Sequence, residues 1–271
     1  MTERKKRLNK GGQVTIFIII AILIIALGVL IYMFYPKLKS TIETETKNPS
    51  TFIQECMEET IQDTVNIISL QGGSYVVNES GGRFYKEEEE DEGTYVRYLC
   101  YTQEDFISCI NQEPFLTEHI ELEILRVINS DIENCFDSLV KSYEDKGYEV
   151  DLKNGTPEVQ IIPYSISTNF NRTLNLIKGD SSEKYENFEV NLNSNLYDML
   201  EVAKNIIIWE INVGDSLPEA YMNYNPYLKV EKHKKENDIK IYVLTDEKTQ
   251  EVFRFAVRSF AAPVGFGEII L

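Results

Sequence analysis

The sequence predicts an α+β protein: an N-terminal transmembrane helix followed by an exterior domain of long amphipathic helices packed on a mostly antiparallel sheet. Three observations lead there. An uncharged apolar run near the N-terminus is long enough to cross a bilayer, two later stretches repeat apolar residues at helical spacing, and after about residue 148 the period shortens toward two. The chain has 271 residues, enough for one or two domains with a real core. Its 43% hydrophobic content is too high for a disordered chain, despite a formal charge of −17. That acidity excludes a nucleic-acid binder, which needs a basic face to neutralise phosphates.

From Val14 to Tyr35 no residue is charged. At about 1.5 Å per residue a helix over this run covers about 33 Å, against a hydrocarbon core of about 30 Å. Tyr32, Phe34 and Tyr35 fall at one interface, and Pro36 ends the run. Arg4, Lys5, Lys6, Arg7 and Lys10 precede it, against the single acid Glu3. The positive-inside rule then gives a single-pass protein of the cell membrane. Residues 1–13 form a basic cytoplasmic tail, 14–36 the transmembrane helix, 37–50 a polar stalk closed by Asn48-Pro49-Ser50, and 51–271 an extracellular domain. That domain reads as helix-rich over 51–147 and sheet-rich over 148–271.

In the helix-rich part, Thr51 and Gln54 have the form of a capping box, and Ile53, Met57, Ile61, Val65 and Ile68 follow at helical spacing up to Gly72-Gly73. A short strand near Tyr75–Val77 precedes the acidic run Glu87–Glu92. That run lacks the glycine-bent alternation of a calcium loop and reads as a solvated segment. A strand Tyr95–Tyr101 and a second helix from Phe115 to Tyr143 come next, the latter with Leu116, Ile120, Ile124, Ile128, Cys135, Leu139 and Tyr143 near one face. Strands are then expected at Tyr148–Leu152, Glu158–Ile162, Tyr164–Ser167 and Phe188–Leu192, and a third helix at Leu196–Ile211. The last strands are Tyr227–Lys232, Ile239–Leu244 and Val252–Arg258, the final two joined by the turn Thr245–Thr249.

Cys56, Cys100, Cys109 and Cys135 all fall on the exterior side, where an even number suits two disulfides; three pairings are possible. Packing the two helical stripes together favours Cys56–Cys135, and Cys100–Cys109 would close a strand-to-helix turn. No CxxC or suitably spaced histidine indicates a metal site. The tripeptides beginning at Asn78, Asn154 and Asn171 are glycosylation sequons in expected turns and loops.

Several local strings invite comparison with known families. Lys10-Gly11-Gly12-Gln13, directly before the apolar run, resembles the class III (prepilin-like) signal of archaeal surface proteins. The resemblance implies cleavage between Gly12 and Gln13 and a pilin-like helix packed into a filament core. Phe17 stands where many pilins carry glutamate, and Gly11 where a basic residue precedes the cut. An uncleaved signal anchor is the other reading. Met33-Phe34-Tyr35 offers no small-residue exit for ordinary signal peptidase. Ser69–Gly73, Lys240–Asp246 and Phe253–Ser259 resemble stretches of uncharacterised archaeal single-pass membrane-anchored proteins, which implies location and architecture but no catalytic residues.

Gly214-Asp215-Ser216-Leu217 matches the opening of the GDSL esterase signature, with Ser216 as nucleophile. A serine needs a base, and neither His119 nor His233 has an aspartate three residues before it. The esterase is therefore the alternative. The leading expectation is binding or assembly rather than catalysis, without a cofactor, the partners being the lipid bilayer and other surface or envelope proteins or further copies of the chain. Trp209 reads as a core residue, and Tyr221–Tyr227 as the best contact patch.

Overall fold

The computed structural model describes residues 20, 22–25, 48–76, 82–87 and 95–260. Residues 20 and 22–25 are helical and exposed and belong to the unit Met1–Asn48. Among the described residues no helix is long and apolar enough to cross a membrane. The rest of the expected span, the basic tail, Gly12 and Gln13, the stalk up to residue 47, and Asn78 lie outside the described residues.

The unit Pro49–Leu271 is compact. Helix α1 (Pro49–Leu70) begins at the proline expected to break the chain. A first helical turn leaves its N–H groups without intrahelical partners, so proline's missing donor costs nothing there. Thr51 accordingly lies inside the helix and does not cap it. Its end is set by Gly73, whose N–H donates to the Ile68 carbonyl at 2.9 Å, and by Gly72 at φ +72°. A Cβ on Gly72 would stand 3.0 Å from Arg97 Cβ, so both the backbone angle and the space require glycine.

Helix α2 (Leu116–Glu144) buries Ile120, Ile124, Ile128, Ile132, Phe136 and Leu139 with the α1 stripe Ile53, Met57, Ile61, Val65 and Ile68 in one core. Cys56 is bonded to Cys135, with Cα atoms 6.1 Å apart, and the bond ties the two helices together. Cys100 is bonded to Cys109 with Cα atoms 5.4 Å apart.

The strands correct the expected architecture. The fold is mixed α+β, but it is not long helices on one mostly antiparallel sheet. The described strands divide into three sheets. The largest orders β1 (Phe84–Lys86), β2 (Tyr95–Tyr101), β12 (Val252–Arg258), β11 (Ile239–Asp246) and β10 (Leu228–Lys234), with β3 (Ile110–Asn111) also on β2. Within it β2 and β12 run parallel, Tyr98 opposite Ala256. The others are β4 (Glu149–Lys153), β7 (Thr173–Lys178) and β8 (Ser181–Glu186), and β5 (Glu158–Ile162), β6 (Ser165–Asn169) and β9 (Glu189–Asn193). Alternating burial in β5 and β9 identifies strands but not their partners, so two sheets interleaved along the chain read as one. Nor do the expected halves separate, because β2 from the first lies beside β12 from the second.

The bridges close loops of unequal length, 79 and 9 residues in separation. In the chain-entropy account the long loop contributes about 4.5 kcal/mol and the short one about 2.7 kcal/mol. Urea unfolding of Cys56→Ala/Cys135→Ala is expected to show the larger loss. A larger loss from Cys100→Ala/Cys109→Ala would instead assign the main effect to native-state packing.

Candidate functional site

Helix α3 (Leu196–Val213) stops at Gly214, which takes φ +78° and donates its N–H to the Glu210 carbonyl at 3.0 Å. The turn that follows is held from below by lysines of two neighbouring strands. Lys240 of β11 donates from Nζ to Glu210 Oε2 at 2.7 Å and also to the Gly214 carbonyl. Lys232 of β10 donates to Asp215 Oδ1 at 2.8 Å and to the Ser216 carbonyl at 2.7 Å. Glu210 is fully buried, and the Tyr242 hydroxyl donates to its Oε1.

Burial pushes the Glu210 carboxyl above its ordinary range, with the Lys240 charge and hydrogen bond pulling the other way. Asp215 goes below. Burial would raise it, but the Lys232 hydrogen bond and the charges of Lys240, Lys232 and Lys234 together outweigh that effect. Burial and the neighbouring Glu210 push the Tyr242 hydroxyl far up.

In this setting Gly214-Asp215-Ser216 is a helix-exit turn. Ser216 is buried, and its Oγ shares a hydrogen bond with the Tyr221 hydroxyl at 2.9 Å. Its partner is thus a phenol, not an imidazole. His233 lies on β10 opposite Ile241, and His119 is engaged elsewhere.

The outer side of the same turn is apolar. Helix α4 (Pro218–Tyr224) opens with proline at its first turn. Together α3 and α4 bound a cleft of about 470 Å³ lined by Trp209, Val213, Leu217, Ala220, Tyr221 and Tyr224, with Asp215 as its one charged residue. Trp209, Leu217 and Tyr224 are 55%, 70% and 87% exposed. Trp209 is therefore not the core residue expected. Ile206-Ile207-Ile208-Trp209 is apolar through more than a full turn, so periodicity cannot say which side faces in; Ile206, Ile207 and Glu210 do. The expected tyrosine patch is partly present, with Tyr224 and Tyr227 exposed and Tyr221 turned onto Ser216.

A second polar cluster joins α1, β2 and α2. Arg97 Nη1 donates to Ser74 Oγ at 2.6 Å and lies 2.8 Å from His119 Nε2, while Nη2 donates to Glu113 at 2.7 Å. Guanidinium has no acceptor, so His119 Nε2 must be unprotonated and the imidazole neutral. Burial lowers its pKa, and the Arg97 charge lowers it further, against Glu113 and Glu123. Sequence reasoning weighed His119 only as a base for Ser216 and missed this pairing, because Arg97 lies in a strand with no charged neighbour in sequence.

Among the sequons, Asn154 is exposed in the link between β4 and β5, and Asn171 donates from Nδ2 to the Thr156 carbonyl at 2.8 Å. Among the described residues no group of three or more His, Cys, Asp or Glu is placed to hold a metal ion. No protein family, curated protein or solved structure matches the chain.

His119 gives a pH test. The folded imidazole binds its proton less readily than the unfolded one, whose pKa is about 6.5. As pH falls, the unfolded state takes up that proton first, so this contribution to stability is complete above about 6.5 and declines below it. His119→Gln retains an acceptor for Arg97 without titrating. Between pH 7.5 and 5 the unfolding free energy of the wild type should fall more steeply than that of His119→Gln; parallel curves would mean that His119 is not held neutral.

Proposed function

We propose that the chain is an exported, membrane-tethered surface protein that acts by binding or assembly through the cleft between α3 and α4. The observation that carries the binding reading is the cleft itself, in which a tryptophan, a leucine and a tyrosine stay largely in water beside a turn anchored by the buried Lys240–Glu210 pair. Exposed apolar groups in a concave site, with few polar atoms, suit an apolar segment or group of a partner. Two disulfides fit an oxidising, extracellular compartment. Tethering rests on the uncharged run Val14–Tyr35 and the basic residues before it. A kinship with archaeal anchored proteins, and pilin-like processing between Gly12 and Gln13, are refinements of the same reading.

Protease added to intact cells should digest the 49–260 portion and leave a membrane-embedded N-terminal fragment, and N-terminal sequencing should read Gln13 if the signal is processed or Met1 if it is not. Protection of that portion would remove the surface role.

Trp209 is the only tryptophan in the chain, so its emission reports on the cleft directly. An aromatic apolar probe such as anilinonaphthalene sulfonate should quench Trp209 by energy transfer in the full chain. Leu217→Asp should weaken that response about tenfold, the loss of roughly one buried leucine contact. An unchanged response would place the binding surface elsewhere.

A further inference from the structure

The outer end of the large sheet carries a different kind of cavity, which the cleft reading does not use. Between β1, β2 and β11 an open cavity of about 580 Å³ is lined by residues that include Arg83, Tyr98, Tyr101, Gln103 and Asn237. We propose that it binds a small hydroxylated monocarboxylate of the sugar-acid class, with Arg83 taking the carboxylate.

The first support is Arg83. Arg97, Arg126, Arg172, Arg254 and Arg258 each pair with a carboxylate, yet among the described residues Arg83 has none. Its guanidinium lies over the Tyr101 ring, 4.5 Å from the centroid, and leaves the planar N–H fork unspent. Its backbone is pinned, since the Tyr98 N–H donates to the Arg83 carbonyl at 2.8 Å. The fork is therefore held in place before any ligand arrives, which lowers the ordering cost of binding.

The second, independent support is Tyr98. It is only 6% exposed and lines the cavity, but its hydroxyl has no hydrogen-bond partner among the described residues. The ring is buried while the hydroxyl reaches the solvent of the cavity, where it can donate to or accept from a ligand atom. The Tyr98 ring is fixed edge-on against Tyr101, with centroids 5.0 Å apart.

The opposite wall is held by Arg258, which gives three of its five N–H groups to doing so. It donates to the Thr102 carbonyl at 2.6 Å, to Asp105 at 2.7 Å and to the Asn237 carbonyl at 3.2 Å. These contacts fix the backbone beside Gln103 and at Asn237 and leave both side-chain amides available. Each amide offers a donor and an acceptor, the complement of a hydroxyl.

The charge of the ligand follows from the same inventory. One uncommitted guanidinium balances one negative charge, and a bidentate fork matches a carboxylate. A phosphate monoester carries close to two charges, and among the described residues lining the cavity it would meet only one cation, Arg83, that is not already paired with a carboxylate. Amides and tyrosine hydroxyls around the fork call for a hydroxylated body on the ligand and not an acyl chain.

The test uses the full-length chain and D-glucuronate, followed by saturation-transfer NMR and equilibrium dialysis, with glucose and inorganic phosphate as comparison ligands. Saturable glucuronate binding, at least about tenfold tighter than glucose or phosphate, is expected. Arg83→Ala should weaken it about tenfold or more, and Arg83→Lys should recover only part. Tyr98→Phe keeps the ring and should weaken binding several-fold without changing thermal unfolding. The proposal is overturned if glucuronate does not bind saturably, if glucose or phosphate binds as well, or if Arg83→Ala and Tyr98→Phe bind like the wild type.

Discussion

The buried pair Lys240–Glu210 decides how the C-terminal part of the domain is assembled. A charge left unpaired in the interior costs about 3–5 kcal/mol, so each member commits its element to the other. Turning α3 by one residue, about 100°, would carry Glu210 off β11 and strand both charges. Paired in this way, Glu210 fixes which side of an all-round apolar helix faces the sheet, and that choice sends Trp209 and Val213 outward. Lys240 also holds the Gly214 carbonyl, so the turn after the helix is set by the same ammonium. Whether the pair adds net stability matters less than its selection of one rotation.

The constraint spreads through hydroxyls and arginines. Ser259 accepts from the Cys109 N–H at 3.0 Å and donates to the Glu210 carbonyl at 2.9 Å, linking the short disulfide loop, β12 and α3. Arg97 does the corresponding work in the first half of the chain, joining the α1 exit, β2 and the start of α2. Arg172 is buried over the Phe136 ring, 4.4 Å from its centroid, and paired with Glu133, which docks the link between β6 and β7 on α2. Positive side chains thus serve as interior fasteners between elements distant in sequence.

Helices α1 and α2 were legible in the sequence because one face of each is apolar and the other is not, and the same stripes brought Cys56 to Cys135. The β11–β12 hairpin was legible from its turn, where Asp246 accepts the Lys248 and Thr249 N–H groups. β8 was not, since Ser181–Glu186 is exposed almost throughout and carries no alternation. The parallel β2–β12 pair depends on residues more than 150 positions apart, and no local pattern encodes it. Of the two cavities, the tyrosine patch near Tyr224 was visible as composition, whereas Arg83 was one basic residue among many. What distinguishes it from the other described arginines is that no carboxylate among the described residues pairs with it, a property of the fold alone.

Using arginine and lysine as interior fasteners has an electrostatic consequence at the surface. Arg97, Arg172 and Lys240 are buried and neutralised by Glu113, Glu133 and Glu210, which leaves much of the acidic excess in solvent. A surface of that sign repels anionic partners and further copies of itself at long range. Association would have to be driven at short range, by apolar contact or by a local cation that no carboxylate among the described residues pairs with. On the readings proposed for them, the cleft beside Trp209 would supply the first and Arg83 the second.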